Sequence, residues 1–495
     1  MDQLLFSVEE LSHSTQHILP LLTLLVTGLV LMLLDAFGAK RPILWVTAIG
    51  LALSAGMAGL HAAPGSEVVF FGMMETGGIA PMVHIFITLA GLFTLFFLQD
   101  YMKRQEHQVY AVYSLLVFAV LGMILLANAN DLFMSFIGLE TMSICLYIFA
   151  ALFKTELRSN EAGLKYFLLG AFASAFLLLG ISILYGVTGF TNLTMMSQPE
   201  VIERLQANEL LFYIAGGLIL IGFLFKVAAF PFHNWTPDVY TGTPTPLAGF
   251  MATASKLSAF VAMGVIVQKT QMFEWDRLMT VLAAIALFTM IYGNVVAVQQ
   301  TNLKRMLAYS SIAHSGYVLL GICAIEYGFE AVLFYMFIYT LMNIGAFGLV
   351  GMAEEKLGDN DITTWGGLGQ KAPYFAGALA IFLFSLAGIP PLAGFMSKYH
   401  VFLSAIEGGL VALAVVGILT SVIGAYYYIR IIVRMFFQEG SDEISSLNLN
   451  FGRGPVAGVA ILAFLVILFG IFPSLVMGPI QAAFEQATMM STTLP

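Results

Sequence analysis

The chain has 495 residues, of which 59% are hydrophobic and only 10% are charged, whereas a soluble chain carries about a quarter charged residues. With a mean hydropathy of +0.91 and a formal net charge of −9, this composition excludes a soluble globule, a disordered or fibrous chain, and a nucleic-acid-binding protein. The two cysteines, Cys145 and Cys323, lie in apolar runs without metal-ligand spacing, so a disulfide framework, a zinc site and an iron–sulfur site are unsupported.

Fourteen apolar runs are long enough to cross a membrane, because about 20 apolar residues span about 30 Å of hydrocarbon. They show no period-2 alternation, which indicates helices rather than barrel strands. No Lys or Arg precedes the first run, which we therefore interpret as a retained helix rather than a signal peptide. The predicted fold is an all-α polytopic membrane protein. The runs are 18–37, 43–61, 79–99, 109–127, 131–153, 162–187, 210–232, 244–268, 278–298, 302–324, 328–352, 373–405, 409–434 and 455–476.

Basic residues between the runs are distributed unevenly, which predicts sidedness. Fourteen alternating spans put both chain ends on one membrane face, the terminal face, which holds only Arg204, Lys269 and Arg277. The rule predicts that this face is periplasmic and that the opposite face, the basic face, is cytoplasmic. The basic face holds Lys40, Arg41, Lys103, Arg104, Lys154, Arg158, Lys304, Arg305, Lys356, Lys371, Arg430, Arg434 and Arg453.

Two spans of similar sequence carry prolines near their middle: Pro231 in the seventh, and Pro390 with Pro391 in the twelfth. Placing Pro231 on Pro390 sets Lys226 against Ser385. The spans lie five apart and so run in opposite directions, as in inverted repeats with discontinuous helices, which place binding sites at the membrane midplane. Two ordinary proline kinks are the alternative interpretation.

Five titratable residues lie inside predicted spans, where a central charge costs roughly 2.5–3.5 kcal/mol. They are Glu140, Lys165, Lys226, Lys256 and Lys398. Lys165 could reach the interface on its methylene stem, and Glu140 could be only a structural partner of a lysine. The cost nevertheless favours an ion path, because a carboxylate and an amine in a low dielectric tune each other's protonation.

Histidines supply weaker signals. His233 follows the first proline break and is placed to bridge Lys226 to bulk water or to the next lysine. His314 falls in the middle of the tenth run. Each could equally be a hydrogen-bonded core residue. The sequence contains no Walker A motif, no dinucleotide fingerprint and no paired haem-ligand histidines.

The surroundings of these charges resemble the antiporter-like subunits of respiratory complex I. The resemblance covers nearly the whole chain and rests on Glu140, on AAFPFHNWTPDVYTGTPTP after Lys226, on Lys256, and on LAGIPPLAGFMSKYHVF around Lys398. Within this family the chain is most similar to the N-type subunits of bacterial NADH–quinone oxidoreductase. M-type relatives carry Glu where this chain has Lys398, L-type relatives end in a lateral helix, and the segment SNEAGLKYFLLG fits the N type best.

The resemblance implies two inverted five-helix repeats and one proton channel of a larger enzyme. It divides the chain into helices 1–3 (1–108), a first repeat of helices 4–8 (109–268), a second repeat of helices 9–13 (278–434), and helix 14 with a tail (455–495). Helices 7 and 12 are expected to be discontinuous. By this resemblance Glu140 and Lys226 are the paired carboxylate and lysine, Lys256 is the connecting lysine, Lys398 is the lysine of the distal half-channel, and Lys165, His233, Glu161 and His314 are auxiliary.

The resemblance also implies that FMN, iron–sulfur clusters and quinone belong to partner subunits and that this chain holds no cofactor. The expected partners are the M- and L-type neighbours, small membrane subunits such as K, the lipid bilayer, protons and internal water, in a bacterial inner membrane. Two alternatives stay open: a subunit of a related multisubunit sodium–proton antiporter, and a self-sufficient transporter of a small solute. The second would need a pocket of aromatic and polar groups, whereas the intramembrane polar groups here are mostly titratable.

Overall fold

The computed structural model describes residues 8–62, 65–104, 109–357, 360–440 and 451–493, and these residues are almost entirely helical. In chain order the α-helices are α1 (Val8–Ala36), α2 (Ile43–Leu60), α3 (Ala80–Arg104), α4 (Ala111–Ala127), α5 (Leu132–Ala150), α6 (Leu157–Thr188), α7 (Leu193–Met196), α8 (Pro199–Ala207), α9 (Glu209–Lys226), α10 (Thr236–Gly242), α11 (Thr245–Lys269), α12 (Asp276–Val298), α13 (Leu303–Cys323), α14 (Ile325–Leu357), α15 (Leu368–Lys371), α16 (Pro373–Ala387), α17 (Ala393–Glu407), α18 (Val411–Phe437), α19 (Arg453–Ile471) and α20 (Ser474–Thr493).

Two short strands and two 3₁₀ turns complete the described secondary structure. The strands β1 (Glu67–Val69) and β2 (Met74–Thr76) form an antiparallel hairpin in which Val68 pairs with Glu75. The 3₁₀ turns are Met272–Glu274 and Ile362–Trp365. The hairpin has no counterpart in the sequence-based expectation, because its two strands are too short to produce a period-2 pattern.

The predicted helical membrane fold is confirmed. Within the described residues, 12 helices are long and apolar enough to cross a membrane, and shorter apolar helices include Ala111–Ala127 and Pro373–Ala387. The expected discontinuities of helices 7 and 12 are both present. The seventh span ends as a helix at Lys226 rather than at residue 232, and the run 373–405 is two helices, α16 and α17. The segment after residue 476, which was expected to be a tail, belongs to a separate helix, α20 (Ser474–Thr493).

Three helices form the centre of the molecule. Almost every residue of α11, α13 and α14 is buried, whereas only about a third of the residues of α1, α2, α6 and α18 are buried. An exposed apolar surface suits contact with lipid, while a fully buried helix can carry polar side chains inward without meeting hydrocarbon. Lys256 and His314, both predicted to lie inside the membrane, are on two of these central helices, α11 and α13.

Loops that alternating spans assign to one face contact one another in the structure. On the terminal face, Lys269 at the end of α11 pairs with Glu75 of the hairpin at 2.5 Å, and the Leu132 amide donates to the Thr191 carbonyl. On the basic face, Arg430 donates to the carbonyls of Val298 and Gln300. The relative placement of these loops therefore agrees with fourteen crossings.

Candidate functional site

Lys226 and Glu140 lie on neighbouring helices of the first half. Lys226, 2% exposed, is the last residue of α9, and its Nζ donates to Ser143 Oγ at 2.9 Å and to Tyr166 OH at 3.2 Å. Glu140 is half-buried and accepts a hydrogen bond from Ser174 Oγ. The two charges make no direct ion pair, although the Glu140 carboxylate acts electrostatically on Lys226. The structure therefore places the predicted pair on packed helices, with hydroxyl partners for each: Ser143 and Tyr166 for Lys226, and Ser174 for Glu140.

The helix carrying Lys226 stops because its backbone turns left-handed immediately afterwards. Ala228 has φ +60°, and the amides of Ala228 and Ala229 donate to the carbonyls of Phe225 and Leu224. These two bonds form a Schellman cap, which satisfies carbonyls at a helix end. Pro231, which lacks an amide hydrogen, follows three residues after Ala228 and prevents the helix from resuming. The break predicted from Pro231 is confirmed.

The second break uses the same cap. Gly388 has φ +86°, and the amides of Gly388 and Ile389 donate to the carbonyls of Ser385 and Phe384. Ala228 therefore corresponds to Gly388, and Pro231 corresponds to Pro391 rather than to Pro390. The sequence alignment was wrong by one residue, since a proline pair offers two matches and only the cap decides between them.

Lys256, 1% exposed, is held entirely by oxygens of α13. Its Nζ donates to the Ser311 carbonyl at 2.9 Å, to Ser311 Oγ at 2.7 Å and to Ser315 Oγ at 2.9 Å. Ser315 Oγ in turn donates to the Val227 carbonyl at 2.6 Å, at the broken end of α9. The break beside Lys226 is thus bonded to the side chain that holds Lys256.

His314 occupies the centre of a buried tyrosine cluster. Its Nδ1 lies 2.6 Å from Tyr335 OH, and its Nε2 lies 3.2 Å from Tyr428 OH, which also bonds Ser310. The ring of Tyr339 lies 4.9 Å away. The charges of both Lys398 and Lys256 act on His314. His314 is therefore a member of a polar cluster rather than an isolated core histidine.

Lys398 lies on α17 and contacts the end of α16, the other half of the same broken helix. Lys398 is 6% exposed, and its Nζ donates to the carbonyls of Leu386 and Ala387 at 2.9 and 3.0 Å and to Ser421 Oγ at 2.8 Å. Leu386 and Ala387 are the last residues of α16, so the cation lies on the negative end of a helix dipole. Lys398 also lies 5.4 Å from the Tyr317 ring, whose hydroxyl bonds Asn294.

His233 is buried beside Tyr292, with ring centroids 4.4 Å apart. Neither of its ring nitrogens has a hydrogen-bond partner in the described part of the chain, so its predicted bridge to Lys226 is not a direct bond. The same holds for the side-chain polar atoms of Tyr240, Tyr339 and Asn343. Buried polar groups in proteins are almost always satisfied by protein or water.

Lys165 and Glu161 belong to a charged network at the basic face. Lys165 Nζ pairs with Glu161 at 2.5 Å and with Asp238 at 2.8 Å, and Arg305 pairs with the other oxygen of Asp238 at 2.8 Å. The Lys165 side chain is 40% exposed, so its reach to the interface, the alternative interpretation, stays open beside an auxiliary role in the path. Asp238 had no predicted role, although its place in the PDVYTG stretch beside the break was visible in the sequence.

Lys304 is a second residue that sequence reasoning misplaced. It was counted as a loop charge, yet it is 3% exposed and donates to the Thr243 carbonyl at 2.6 Å, with Glu354 at 3.9 Å. Its position at the start of α13 allows it to cap the end of the α10 segment. Among the described residues, no group of three or more His, Cys, Asp or Glu side chains could hold a metal ion.

Comparison with known proteins identifies the family of this chain. Residues 129–424 match the family model described as NADH:quinone oxidoreductase/Mrp antiporter, TM. The chain is 39% identical over 475 residues to NADH-quinone oxidoreductase subunit N of Salinibacter ruber, covering 93% of this chain and 94% of that one. It is 38% identical over 479 residues to the subunit N of Rhodospirillum rubrum, covering 96% and 97%.

Solved structures agree with these sequence relatives. A chain of respiratory complex I from Thermus thermophilus matches with a TM-score of 0.78 at 31% identity, covering 93% of this chain and 98% of that chain. A chain of the Mrp complex from Dietzia sp. has a TM-score of 0.86 at 20% identity, covering 96% and 98%, which shows a shared fold. The chain therefore belongs to the family of NADH-quinone oxidoreductase subunit N proteins, within the wider group of NADH:quinone oxidoreductase and Mrp antiporter membrane subunits.

Proposed function

We propose that this chain translocates protons as a membrane subunit of an NADH:quinone oxidoreductase, through a relay formed by Glu140, Lys226, Lys256 and Lys398. The observation that carries the proposal is the way the three lysines are held. Each is buried, and within the described chain each is bound by hydroxyl, carbonyl or aromatic groups rather than by a carboxylate within ion-pair distance. A merely structural buried lysine would be expected to have a carboxylate partner.

Hydroxyl partners suit a lysine that changes its protonation. A serine or tyrosine hydroxyl accepts from an ammonium group and, after rotating, donates to a neutral amine. Ser143 serves Lys226 in this way, and Ser311 and Ser315 serve Lys256. A carboxylate partner would instead hold the proton on the lysine. The three sites can therefore hold or release a proton without leaving a buried group unpaired.

Polar groups connect the lysines into one path. Between Lys226 and Lys256 lie the Val227 carbonyl and Ser315 Oγ. We assign the step between Lys256 and Lys398 to His314, which bonds Tyr428; the ring centroids of Tyr428 and Tyr427 lie 4.5 Å apart. Water at His233, Tyr240, Tyr339 and Asn343 would supply the remaining steps, because buried water typically serves such partnerless groups.

Glu140 is placed to control the first lysine. It is half-buried and acts electrostatically on Lys226 without bonding it. A change of charge at Glu140 would therefore shift the proton affinity of Lys226 and, through the shared break, bias Lys256. We include Lys165, Glu161, His233 and His314 as auxiliary groups of the path.

The two breaks also support inverted repeats over 109–268 and 278–434, flanked by 1–108 and 455–495. The third helix of each proposed repeat packs on its broken helix: α6 on α9, and α14 on α16 and α17. We propose that the terminal face is periplasmic, that other membrane subunits of complex I flank the chain in the bacterial inner membrane, and that FMN, iron–sulfur clusters and quinone lie in partner subunits.

Substitutions of Lys226 and Glu140 test this function. Lys226→Ala and Glu140→Ala should weaken NADH-driven proton pumping, and Lys226→Arg should do so as well, since arginine keeps the charge but does not deprotonate. Pumping is measured with a gradient-sensitive dye in membrane vesicles, with and without Na⁺, after complex content is checked on a native gel. Glu203→Ala, an exposed carboxylate on α8, is the matched control.

Two results would count against the proposal. Wild-type proton pumping by an assembled Glu140→Ala complex would show that the Glu140 carboxylate is not part of the relay. Pumping that requires Na⁺ and moves Na⁺ instead of protons would favour the antiporter alternative, which the shared family with Mrp subunits keeps open.

A further inference from the structure

A cavity lined by cations lies at the basic face, between helices that precede the residues of the proposed relay in sequence. Its volume is about 260 Å³. It lies where four helices end or begin together: α1 and α2 are joined beside it, and α3 ends and α4 begins beside it. Its lining includes Lys40, Arg41, Ile43, Leu44, Val109 and Tyr110. Neither the relay nor the auxiliary residues contribute to it.

Lys40 and Arg41 bring positive charge to this cavity. Lys40 and Arg41 are both exposed, and among the described residues neither is within ion-pair distance of a carboxylate. Lys40 Nζ instead lies over the Tyr110 ring, 4.9 Å from its centroid. The nearby carboxylate Asp100 lines a different cavity, beside Pro455. The adjacent cations Lys40 and Arg41 thus both line one space.

The depth of the cavity matches that of lipid headgroups. Helices that cross a bilayer end near the boundary between hydrocarbon and headgroups, and four such ends surround this space. Apolar side chains of Ile43, Leu44 and Val109 share its lining with the cations. Phe37, which follows α1, and Trp45, in the first turn of α2, are 84% and 68% exposed. Aromatic side chains of this kind favour the membrane interface.

We propose that this cavity binds the phosphate headgroup of an anionic phospholipid. Basic pockets between transmembrane helices bind such headgroups. Lys40 and Arg41 would contact the phosphate, Tyr110 would hold Lys40 in place, and the apolar lining would receive the glycerol end of the acyl chains. A free phosphate ion would use the cations but gain nothing from that lining, and for this reason we assign the site to a lipid. The proposal does not depend on the proton path.

Native mass spectrometry of the full-length chain, purified with the subunits that accompany it and stripped of lipid, tests the site. Phosphatidylglycerol is added back, with phosphatidylcholine as the neutral comparison and inorganic phosphate as a competitor. Lys40→Gln combined with Arg41→Gln should weaken the tightest phosphatidylglycerol site about 30-fold, from about fivefold for each basic residue near an anionic surface. The charge-preserving double variant Lys40→Arg, Arg41→Lys should retain binding.

The matched control is Lys154→Gln combined with Arg158→Gln, two exposed cations of the same face outside the cavity. The control should bind like the wild type. Equal loss in both glutamine variants would reduce the effect to general surface charge, and no loss in either would remove the site. Displacement by millimolar phosphate would indicate a free-anion site, and equal binding of phosphatidylcholine would indicate an apolar groove. Each of these four results would overturn the proposal.

Discussion

At the scale of single residues, Asp238 joins parts of the chain that are distant in sequence. It lies on α10, outside the membrane-spanning helices, and pairs with Lys165 of α6 and Arg305 of α13. Burial acts to raise its pKa, but hydrogen bonds from Lys165 and Arg305 outweigh burial and hold the pKa of Asp238 below its ordinary value of 3.8. The carboxylate is thus a bridge between the first and second halves at the basic face.

Replacing Asp238 with Asn should lower the free energy of unfolding of the detergent-solubilised complex by about 1–2 kcal/mol, since two ion pairs are lost and each partly exposed pair contributes about 1 kcal/mol or less. Because the folded-state pKa is lowered, this contribution is present above pH 3.8 and is lost as the pH falls through the lowered value. Thermal unfolding is followed by size-exclusion chromatography at pH 7. Glu203→Gln is the control, and the difference should shrink in 1 M salt. A melting curve like that of Glu203→Gln would contradict the bridging role.

At the scale of elements, the two broken helices are the features that position the lysines of the proposed relay. Each ends in a Schellman cap followed by a proline, and each cap lies next to a lysine: Lys226 precedes the first, and Lys398 bonds the carbonyls before the second. A helix that stops in mid-membrane leaves carbonyls that must be bonded. Lys398 and Ser315 supply those bonds, so the breaks and the polar side chains require each other.

The second break also requires close contact at Gly394, near the start of α17. A Cβ at Gly394 would lie 1.8 Å from the Ser385 carbonyl oxygen, whereas a Cβ at Gly377 on α16 would meet nothing within 4 Å. Gly394→Ala should therefore destabilise the assembled complex by about 1–3 kcal/mol or more, since overpacking usually costs this much. Gly377→Ala should be neutral. Complex content on a native gel and its melting temperature measure both. Equal stability of the two variants would show that the halves of this helix do not pack as described.

Much of this arrangement could be read from the sequence. Pro231 and the Pro390–Pro391 pair indicated the breaks, and the cost of burying charge indicated Lys226, Lys256 and Lys398, because both signals are local. Partners distant in sequence could not be read in this way. Ser315 meets Val227 across 88 residues, and Lys304 meets Thr243 across 61. Lys304 looked like a loop cation because hydropathy does not reveal that another helix covers it.

At the scale of the whole molecule, the proposed orientation rests on the excess of basic residues at one face. The structure groups the loops as alternating spans require, with Lys269 and Glu75 together on the terminal face. That grouping leaves open which face meets the cytoplasm, and the positive-inside rule assigns the basic face to it.

A cysteine at Ser197 tests this orientation, because Ser197 is exposed in the connection after α6 on the terminal face. In a variant whose native Cys145 and Cys323 are replaced by Ser, Ser197→Cys should react with a membrane-impermeant maleimide in cells with a permeabilised outer membrane. Thr155→Cys, exposed on the basic face, should react only after the inner membrane is lysed. The reverse pattern would invert the topology.

We propose that one proton path runs through the middle of the molecule, with Lys256 as its midpoint. Lys256 lies on the buried helix α11, bonded through Ser315 to the break beside Lys226 and close to His314 on the way to Lys398. If the path is continuous, removing its midpoint stops transport in both directions and holds back the electron transfer coupled to it.

The most direct measurement is NADH oxidation and proton pumping by membranes that carry Lys256→Ala, with Lys154→Ala as the control and complex content checked on a native gel. We expect assembled Lys256→Ala to lose about tenfold or more in both rates, since a positioned proton-transfer group contributes about 100-fold or more, while Lys154→Ala matches the wild type. Wild-type rates of both processes in assembled Lys256→Ala would show that Lys256 is structural and that protons cross the membrane elsewhere.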